Sequence, residues 1–519
     1  MNADVDKGRL RPPAVGIAIF LAFFGFYLLA GSRTRPWADA TPMWQVAENL
    51  VTKHTIAISS QWIAPLGADG KIYCLYPLLT SLVQVPGAAL RYIITTRFAP
   101  HTDELLFPLA SHLAPGLLGA LTCVLFYRTA RRFAGVRAAS LATLVMGLGT
   151  GVFYYARSAY SEALQTFCFA GFVLAIFNAL DDPSAPAARR LGIWTGLLFN
   201  SKIVYLASVP GVAAVIAWRL RREPRRLLVF FAWAGAMLIP AFAVVLLYNW
   251  ARWGSPLVNG YGPIGGGSFW RGFWGLLFSP GKSIFLYSPP VAVGVVGLYG
   301  LFRRHPAHGV ALAAAILPVF VVYASYMWWD GDWGWGPRYL TFALPALCLP
   351  LAALIEAASA RRRLAWLIGA AFAAGLAVQV IGSSLYWGHW FRIASAASVN
   401  WLGQPRCAPA PGAAGPCYPD DKPLYAVHWL PSLQPIAGHI WLLRHAPFGD
   451  TFEEAEKDAP WQVDGKIHIP SAAEWYRGTV IDWWALGWTA YLRAGAVVGA
   501  VMAGLLVWGA ALWWRRARS

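Results

Sequence analysis

Ten apolar runs long enough to cross a bilayer recur along the 519 residues, at 14–31, 105–127, 138–156, 161–180, 227–249, 284–302, 309–329, 339–357, 364–386 and 494–514. A helix needs about 20 such residues to span the hydrocarbon core. Lipid offers the backbone no hydrogen-bonding partner, so a chain built this way is helical wherever it crosses. Charged residues make up only 13% of the sequence, against about 25% in a soluble domain. A soluble globular enzyme and a disordered chain are both excluded. The net charge of +18 does not point to nucleic acid. Of the 42 Lys and Arg, 22 lie in seven short stretches (the first eleven residues, 128–137, 189–190, 219–226, 303–304, 361–363 and 515–518), and each flanks an apolar run. Basic loops are kept on the cytoplasmic side, so these clusters record orientation.

The stretch 191–218 fixes the topology most tightly. Arg189 and Arg190 precede it, and Arg219, Arg221, Arg222, Arg225 and Arg226 follow. With both ends inside, the chain has to go out and return within 28 residues. One straight helix cannot do so; two shortened helices broken near Asn200-Ser201-Lys202 can, which puts Lys202 within the membrane thickness, facing protein or water. The expected architecture is an all-α polytopic protein of about twelve crossings with both termini inside. The first run, preceded by Lys7, Arg9 and Arg11, reads as a retained anchor. Segments 32–104, 250–283 and 387–493 fall outside. Residues 76–96, interrupted by Pro77, Pro86 and Arg91, read as interfacial helices. Residues 387–493 read as a small extramembrane cap, α/β or irregular, and 494–519 as the last crossing with a basic tail. If the cap faces an oxidising compartment, Cys407 and Cys417 are the pair that can form a disulfide. Cys123, Cys168 and Cys348 lie in apolar runs and read as small buried hydrophobes.

Several outer-face residues can carry chemistry. Asp39, in Trp37-Ala38-Asp39-Ala40-Thr41-Pro42, reads either as a base toward a hydroxyl or as a helix N-cap. Lys202 needs an anionic partner, either a lipid phosphate or a carboxylate such as Glu162. The loop from Trp328 to Tyr339 packs four indoles, Gly331, Gly334 and Gly336, the pair Asp330 and Asp332, and Arg338 into twelve residues. Indoles offer flat faces to a sugar or lipid and a guanidinium forks a phosphate; the two aspartates read as turn formers or arginine partners. Arg252, Arg271 and Lys282 add cations that suit either a lipid-linked phosphate or ordinary headgroups. His389, His428, His439 and His445 lack metal-ligand spacing, so no zinc site is read and any metal requirement is left open.

At these residues the chain resembles the C-type (GT-C) glycosyltransferases, in the branch that contains protein O-mannosyltransferases and the lipid A aminoarabinose transferase. Asp39 with Ala47-Glu48-Asn49-Leu50 is similar to the family's first-loop aspartate and following helix. Gly70-Lys71-Ile72-Tyr73 through Tyr76-Pro77 is similar to its interface-loop motif. Tyr160-Ser161-Glu162, Asn249 to Pro256 with Asn259-Gly260-Tyr261, Leu277 to Lys282 with Tyr287-Ser288-Pro289, and Gly336-Pro337-Arg338-Tyr339-Leu340 follow in order. The chain departs from the pattern at Leu78 and Leu79, where a proline and a glycine are usual, and at Met43 and Trp44, where an aromatic usually follows the aspartate. The resemblance implies transfer of a sugar from a polyprenyl-phosphate donor to an envelope acceptor (glycan, lipid or protein), with inversion. It implies Asp39 as general base; Lys202, Arg338 and Lys282 on the donor phosphate; and Tyr76, Glu162, Asp332, Trp333 and Tyr261 as positioning residues. Toward a phosphate acceptor Asp39 would orient rather than deprotonate.

The expected partners are membrane lipids, the lipid-linked sugar and its acceptor, with no nucleic acid and a monomeric chain. Arg outnumbers Lys 34 to 8, a bias of GC-rich bacteria, so the expected location is the inner membrane with the site facing the periplasm. A flippase of lipid-linked saccharides is the rival reading, and it predicts alternating access between related halves. A non-catalytic scaffold would tolerate Asp39→Asn.

Overall fold

The computed structural model describes residues 12–36, 38–59, 65–260, 266–331, 334–401, 428–461, 473–477, 479, 482–483, 501, 503–512 and 515. As expected, the described chain is overwhelmingly helical, and its one sheet is a two-stranded antiparallel pair. Helix α1 (Pro12–Leu29) leads into α2 (Ala40–Thr52), then β1 (Ala57–Ile58) and β2 (Ile72–Tyr73), with Ala57 opposite Tyr73. The short α3 (Leu78–Leu82) and α4 (Val85–Arg97) precede the long α5 (Asp103–Ala130). Next come α6 (Val136–Gly149), α7 (Gly151–Ala156), α8 (Glu162–Asp181), α9 (Ala185–Ser201), α10 (Ser208–Leu220) and α11 (Pro224–Trp253). The series continues with α12 (Phe269–Phe278), α13 (Ile284–Tyr287), α14 (Pro290–Arg304), α15 (Pro306–Ala324), α16 (Leu344–Cys348), α17 (Pro350–Ala358), α18 (Arg362–Ser384) and α19 (Trp387–Trp401).

Seven helical stretches among the described residues are long and apolar enough to span a membrane, or eight if the pair 338–348 and 350–358, bent by 47°, is one crossing. Three shorter apolar helices, Ala14–Leu29, Val136–Gly149 and Ala503–Leu512, lie on further expected crossings. Length and composition also qualify Leu78–Arg97, read above as interfacial. Its two helices pack against α2 and α5, and Arg91 binds both Glu48 and Asp103, fastening its far end beside the start of α5.

Position in the bundle follows from composition. Helix α8 is buried nearly end to end between α5, α9 and the 338–343 turn. Helix α11 instead leaves Leu228, Ile239, Leu247 and Trp250 exposed, an apolar flank that suits lipid and not water. Small residues let α9 and α11 lie close: a Cβ on Gly196 would come within 2.7 Å of Ala241 Cβ.

The expected break falls where the sequence places it. Helix α9 stops at Ser201, Lys202 is extended, and a 3₁₀ turn over Ile203–Ala207 starts α10. The Asn200 side chain donates to the carbonyls of Gly196 and Ala241, at 2.9 and 3.0 Å, and Ser201 Oγ donates to Leu198 O at 2.6 Å. These bonds anchor the polar side chains of the break to backbone carbonyls of α9 and of the neighbouring α11.

The described part of 387–493 is helical, with α19 and the helices Pro435–His445, Phe452–Glu456 and Ala473–Arg477, while 402–427 and 462–472 lie outside the described residues. Its core is aromatic, with Trp390, Trp441 and Trp461 packed together, and it is continuous with Tyr154, Tyr287 and Trp335 of the preceding bundle. Those indoles supply the buried area that a strand pattern would otherwise have to provide.

Candidate active site

Asp39 begins α2 but does not cap it: its side chain makes no bond to the helix N-terminus. The carboxylate turns instead to Arg338, whose Nη1 donates to Asp39 Oδ2 at 2.7 Å. The Tyr76 hydroxyl also bonds to it. Burial pushes the Asp39 carboxyl up, but Arg338, Tyr76 and the nearby Lys202 together hold it below its ordinary value. The capping reading of Asp39 is therefore not what the geometry shows; its carboxylate is partnered by a guanidinium 299 residues away.

Arg338 is held from several sides. Gly331, in the left-handed region at φ +67°, and Gly334 lie against its aliphatic stem; a Cβ at these positions would come within 2.6 Å of Arg338 Cγ and 2.8 Å of Cδ. That close approach is what the glycines of this loop supply. Tyr155 donates its hydroxyl to Trp335 O at 2.8 Å, and Lys282 donates Nζ to Gly334 O at 2.8 Å. Lys282 is only 1% exposed, so the structure places it beneath the loop that carries Arg338. Glu162 Oε1 lies 4.0 Å from Arg338 Nη1, and Glu162 Oε2 is buried without a hydrogen-bond partner among the described residues.

Lys202 completes the group. Its Nζ sits 4.5 Å from the Tyr339 ring centroid and 5.4 Å from that of Tyr323, and these two rings stack at 4.4 Å. Aromatic faces partly compensate a desolvated ammonium. Among the described residues no carboxylate lies within ion-pair distance of it, Glu162 included. The carboxylate-partner reading is therefore not what the geometry shows.

Asp39, Tyr76, Glu162, Lys202 and Arg338, spread over 300 residues of sequence, thus converge on one cluster. Tyr261, Asp332 and Trp333, and the pair Cys407 and Cys417, lie outside the described residues. Arg252 is built into the framework: it is 3% exposed, donates to Cys74 O at 2.5 Å and Leu75 O at 3.4 Å, and stacks on Tyr248 at 3.8 Å. It fixes the two residues that precede Tyr76. Asp330 pairs with His428 at 2.7 Å, tying the Gly-rich loop to the cap. Among the described residues no three His, Cys, Asp or Glu are grouped as metal ligands.

Residue-level reading missed Tyr160, Tyr339 and Tyr323 as site walls. Tyr160 lies 6.0 Å from the Arg338 guanidinium carbon, centroid to carbon. The signal was present for two of them, since Tyr160 and Tyr339 each adjoin a motif residue. Tyr323 has none, sitting in an apolar run. A hollow of about 430 Å³, counting its open mouth, runs between Leu75, Pro77, Phe199, Ile203 and Val244; the chain neighbour of Lys202, Ile203, lines it.

The fold and site define a helical membrane protein in which a carboxylate and two cations converge. No family model and no curated protein matches the sequence. Among solved structures the chain is similar to ArnT from Cupriavidus metallidurans in the apo state, at 16% identity and a TM-score of 0.48 over 96% of this chain and 76% of that one. It is similar to the same protein bound to undecaprenyl phosphate, at 16% identity and 0.48 over 95% and 77%. It is also similar to the oligosaccharyltransferase AglB from Archaeoglobus fulgidus, in complex with an inhibitory peptide and a dolichol-phosphate, at 12% identity and 0.42 over 75% and 58%.

Proposed function

We propose that this chain is a membrane glycosyltransferase that moves a sugar from a polyprenyl-phosphate donor to an envelope acceptor, with inversion. The observation that carries the reading is the cluster itself: a carboxylate held by Arg338 and Tyr76, beside a lysine with no carboxylate partner among the described residues. Asp39 and Glu162 interact with the Lys202 ammonium electrostatically without pairing with it directly, and an anionic substrate group would supply the direct partner that a buried charge favours. The isoprenoid would lie in the hollow beside Ile203, with its phosphate at Lys202 and Arg338.

In the reaction the acceptor oxygen bonds to the anomeric carbon while the bond from that carbon to the phosphate oxygen breaks. The acceptor proton passes to Asp39, and the electron pair leaves on polyprenyl phosphate. Lys202 and Arg338 neutralise the charge that develops on the leaving group, a kind of stabilisation usually larger than acid-base assistance. A phosphate arriving at Arg338 competes with Asp39 for Nη1, which would loosen the carboxylate just as a base is required. Lys282 and Arg252 act through others, the first by holding the Gly334 carbonyl and the second by holding the two residues before Tyr76.

The test is sugar transfer by purified protein in liposomes offered labelled undecaprenyl-phosphate sugars and an envelope extract. Undecaprenyl phosphate is chosen as the carrier because it is the lipid bound to the Cupriavidus metallidurans protein. Label in the acceptor with wild type, and none with Asp39→Asn, is the expected result. Label that crosses the bilayer unattached and indifferent to Asp39 would make the chain a flippase.

A further inference from the structure

One residue of the cap holds both supports of Arg338. His428 and Asp330 are both buried, and Nε2 of the histidine lies 2.7 Å from Asp330 Oδ2. The backbone carbonyl of the same histidine accepts the Gly281 amide at 3.0 Å. In each of these two segments the next residue along bears on Arg338. Gly331 follows Asp330 and lies against the Arg338 stem at Cγ. Lys282 follows Gly281 and donates Nζ to the carbonyl of Gly334, which itself lies against the stem at Cδ. His428 therefore holds the Gly-rich loop by its side chain and the support beneath that loop by its backbone.

The joint is packed so that it can transmit position. Trp329, the chain neighbour of Asp330, is buried with its ring 5.9 Å from the His428 ring and 6.1 Å from that of Trp429. It also fills the notch left by Gly275 of α12, where a Cβ would come within 2.1 Å of the indole. A close-packed interior passes a displacement on instead of absorbing it. Among the described residues the ionised groups that act on His428 are Asp330 and Lys282, of opposite sign. His428 Nδ1 is buried and no described group bonds to it. A neutral ring with its proton on Nε2 leaves only an acceptor unpaired there, whereas an imidazolium would bury an unpaired N–H. Burial accordingly holds His428 below its ordinary value, although Asp330 draws it up. The ring serves as a neutral donor to a carboxylate.

We propose that His428 is a positioning residue for the phosphate end of the site: clasping Asp330 with its ring and Gly281 with its carbonyl, it seats the Arg338 guanidinium where a lipid phosphate binds, and so makes the cap part of the donor site. The proposal rests on the transferase reading, which supplies the phosphate. Arg338 already reaches Asp39 at 2.7 Å, so a shift of its loop moves the guanidinium relative to carboxylate and phosphate together. A misplacement of about 1 Å in such a site can cost about 10²-fold.

The experiment titrates undecaprenyl phosphate into full-length protein in nanodiscs, comparing wild type, His428→Ala and His428→Gln, each also in an Arg338→Met background. Glutamine is the conservative variant, because its Nε2 is a neutral donor at a similar reach from the backbone. His428→Ala should weaken binding about tenfold, roughly the worth of one hydrogen bond to a charged group, and His428→Gln should restore it to within about twofold of wild type. In the Arg338→Met background the alanine substitution should cost less than about twofold, because there is no guanidinium left to seat. Asp330→Ala, which strands a neutral N–H rather than a buried carboxylate, should reproduce the loss and takes the place of His428→Ala if that variant does not fold. Wild-type affinity in both alanine variants, no restoration by glutamine, or an equal loss with and without Arg338 would overturn the proposal while leaving the transferase reading intact. Absence of lipid-phosphate binding in wild type would instead strike at the transferase reading, and the proposal would fall with it.

Discussion

Asp39 and Arg338 meet at 2.7 Å across 299 positions of sequence, and what each does depends on that meeting. The folded state holds the Asp39 carboxyl below its ordinary value. A depressed carboxylate stabilises the fold fully above its unfolded value of about 4, and that contribution is lost as pH falls through the lowered native value. The difference in melting temperature between wild type and Asp39→Asn should therefore be constant from pH 8 to pH 5 and shrink only under stronger acid. A difference that already narrows between pH 7 and pH 5 would show that the carboxyl is not held down. Lys202→Met should weaken undecaprenyl-phosphate binding by about 10- to 100-fold, the range for a hydrogen bond to a charged group, without lowering the melting temperature. Equal affinity in titrations of the two proteins would remove Lys202 from the phosphate site. Asp39, Tyr76, Glu162, Lys202 and Arg338 were all legible in the sequence because each sits in an ordered motif or at a topological break. Tyr323 was not, because a tyrosine in an apolar run looks like any other belt residue.

At the scale of elements, the Gly-rich loop positions Arg338, and the buried Arg157–Asp482 pair braces the start of the first loop through Ser32. Gly331→Ala puts a side chain at φ +67° and against Arg338; it should cost about 1–2 kcal/mol from backbone handedness alone and weaken lipid-phosphate binding as well. Thermal unfolding and lipid titration of the same sample check both effects. Asp482→Ala strands the buried guanidinium of Arg157 and should cost about 3–5 kcal/mol, whereas replacing both partners by apolar residues of similar volume should recover most of it. An additive double mutant would mean the pair is not coupled. The brace could not be read beforehand. Asp482 is one acidic residue beside tryptophans, with no spacing to connect it to Arg157 or Ser32. The break at Lys202 was readable to the residue, because two basic clusters 28 residues apart leave only one way to fold the stretch between them.

Across the whole molecule, basic clusters and apolar runs together made the all-helical membrane architecture readable, while the described helices of the cap, packed on indoles, leave no clean periodicity to read. The expectation of twelve crossings with loops 32–104 and 250–283 outside is tested by cysteine labelling. Cys74, Cys123, Cys168 and Cys348 are buried, so a background with Cys407 and Cys417 replaced should be quiet. Lys71→Cys should react with an impermeant maleimide added to spheroplasts, and Arg221→Cys only after lysis; the reverse pattern would invert the topology. The most direct measurement is single-turnover consumption of an undecaprenyl-phosphate-linked sugar, with wild type and Asp39→Asn compared in the same liposomes. A general base is worth about 10²–10⁴ in rate, so the variant should bind the lipid normally and transfer its sugar at least a hundredfold more slowly. A variant that transfers as fast as wild type would contradict the assignment of catalysis to this cluster.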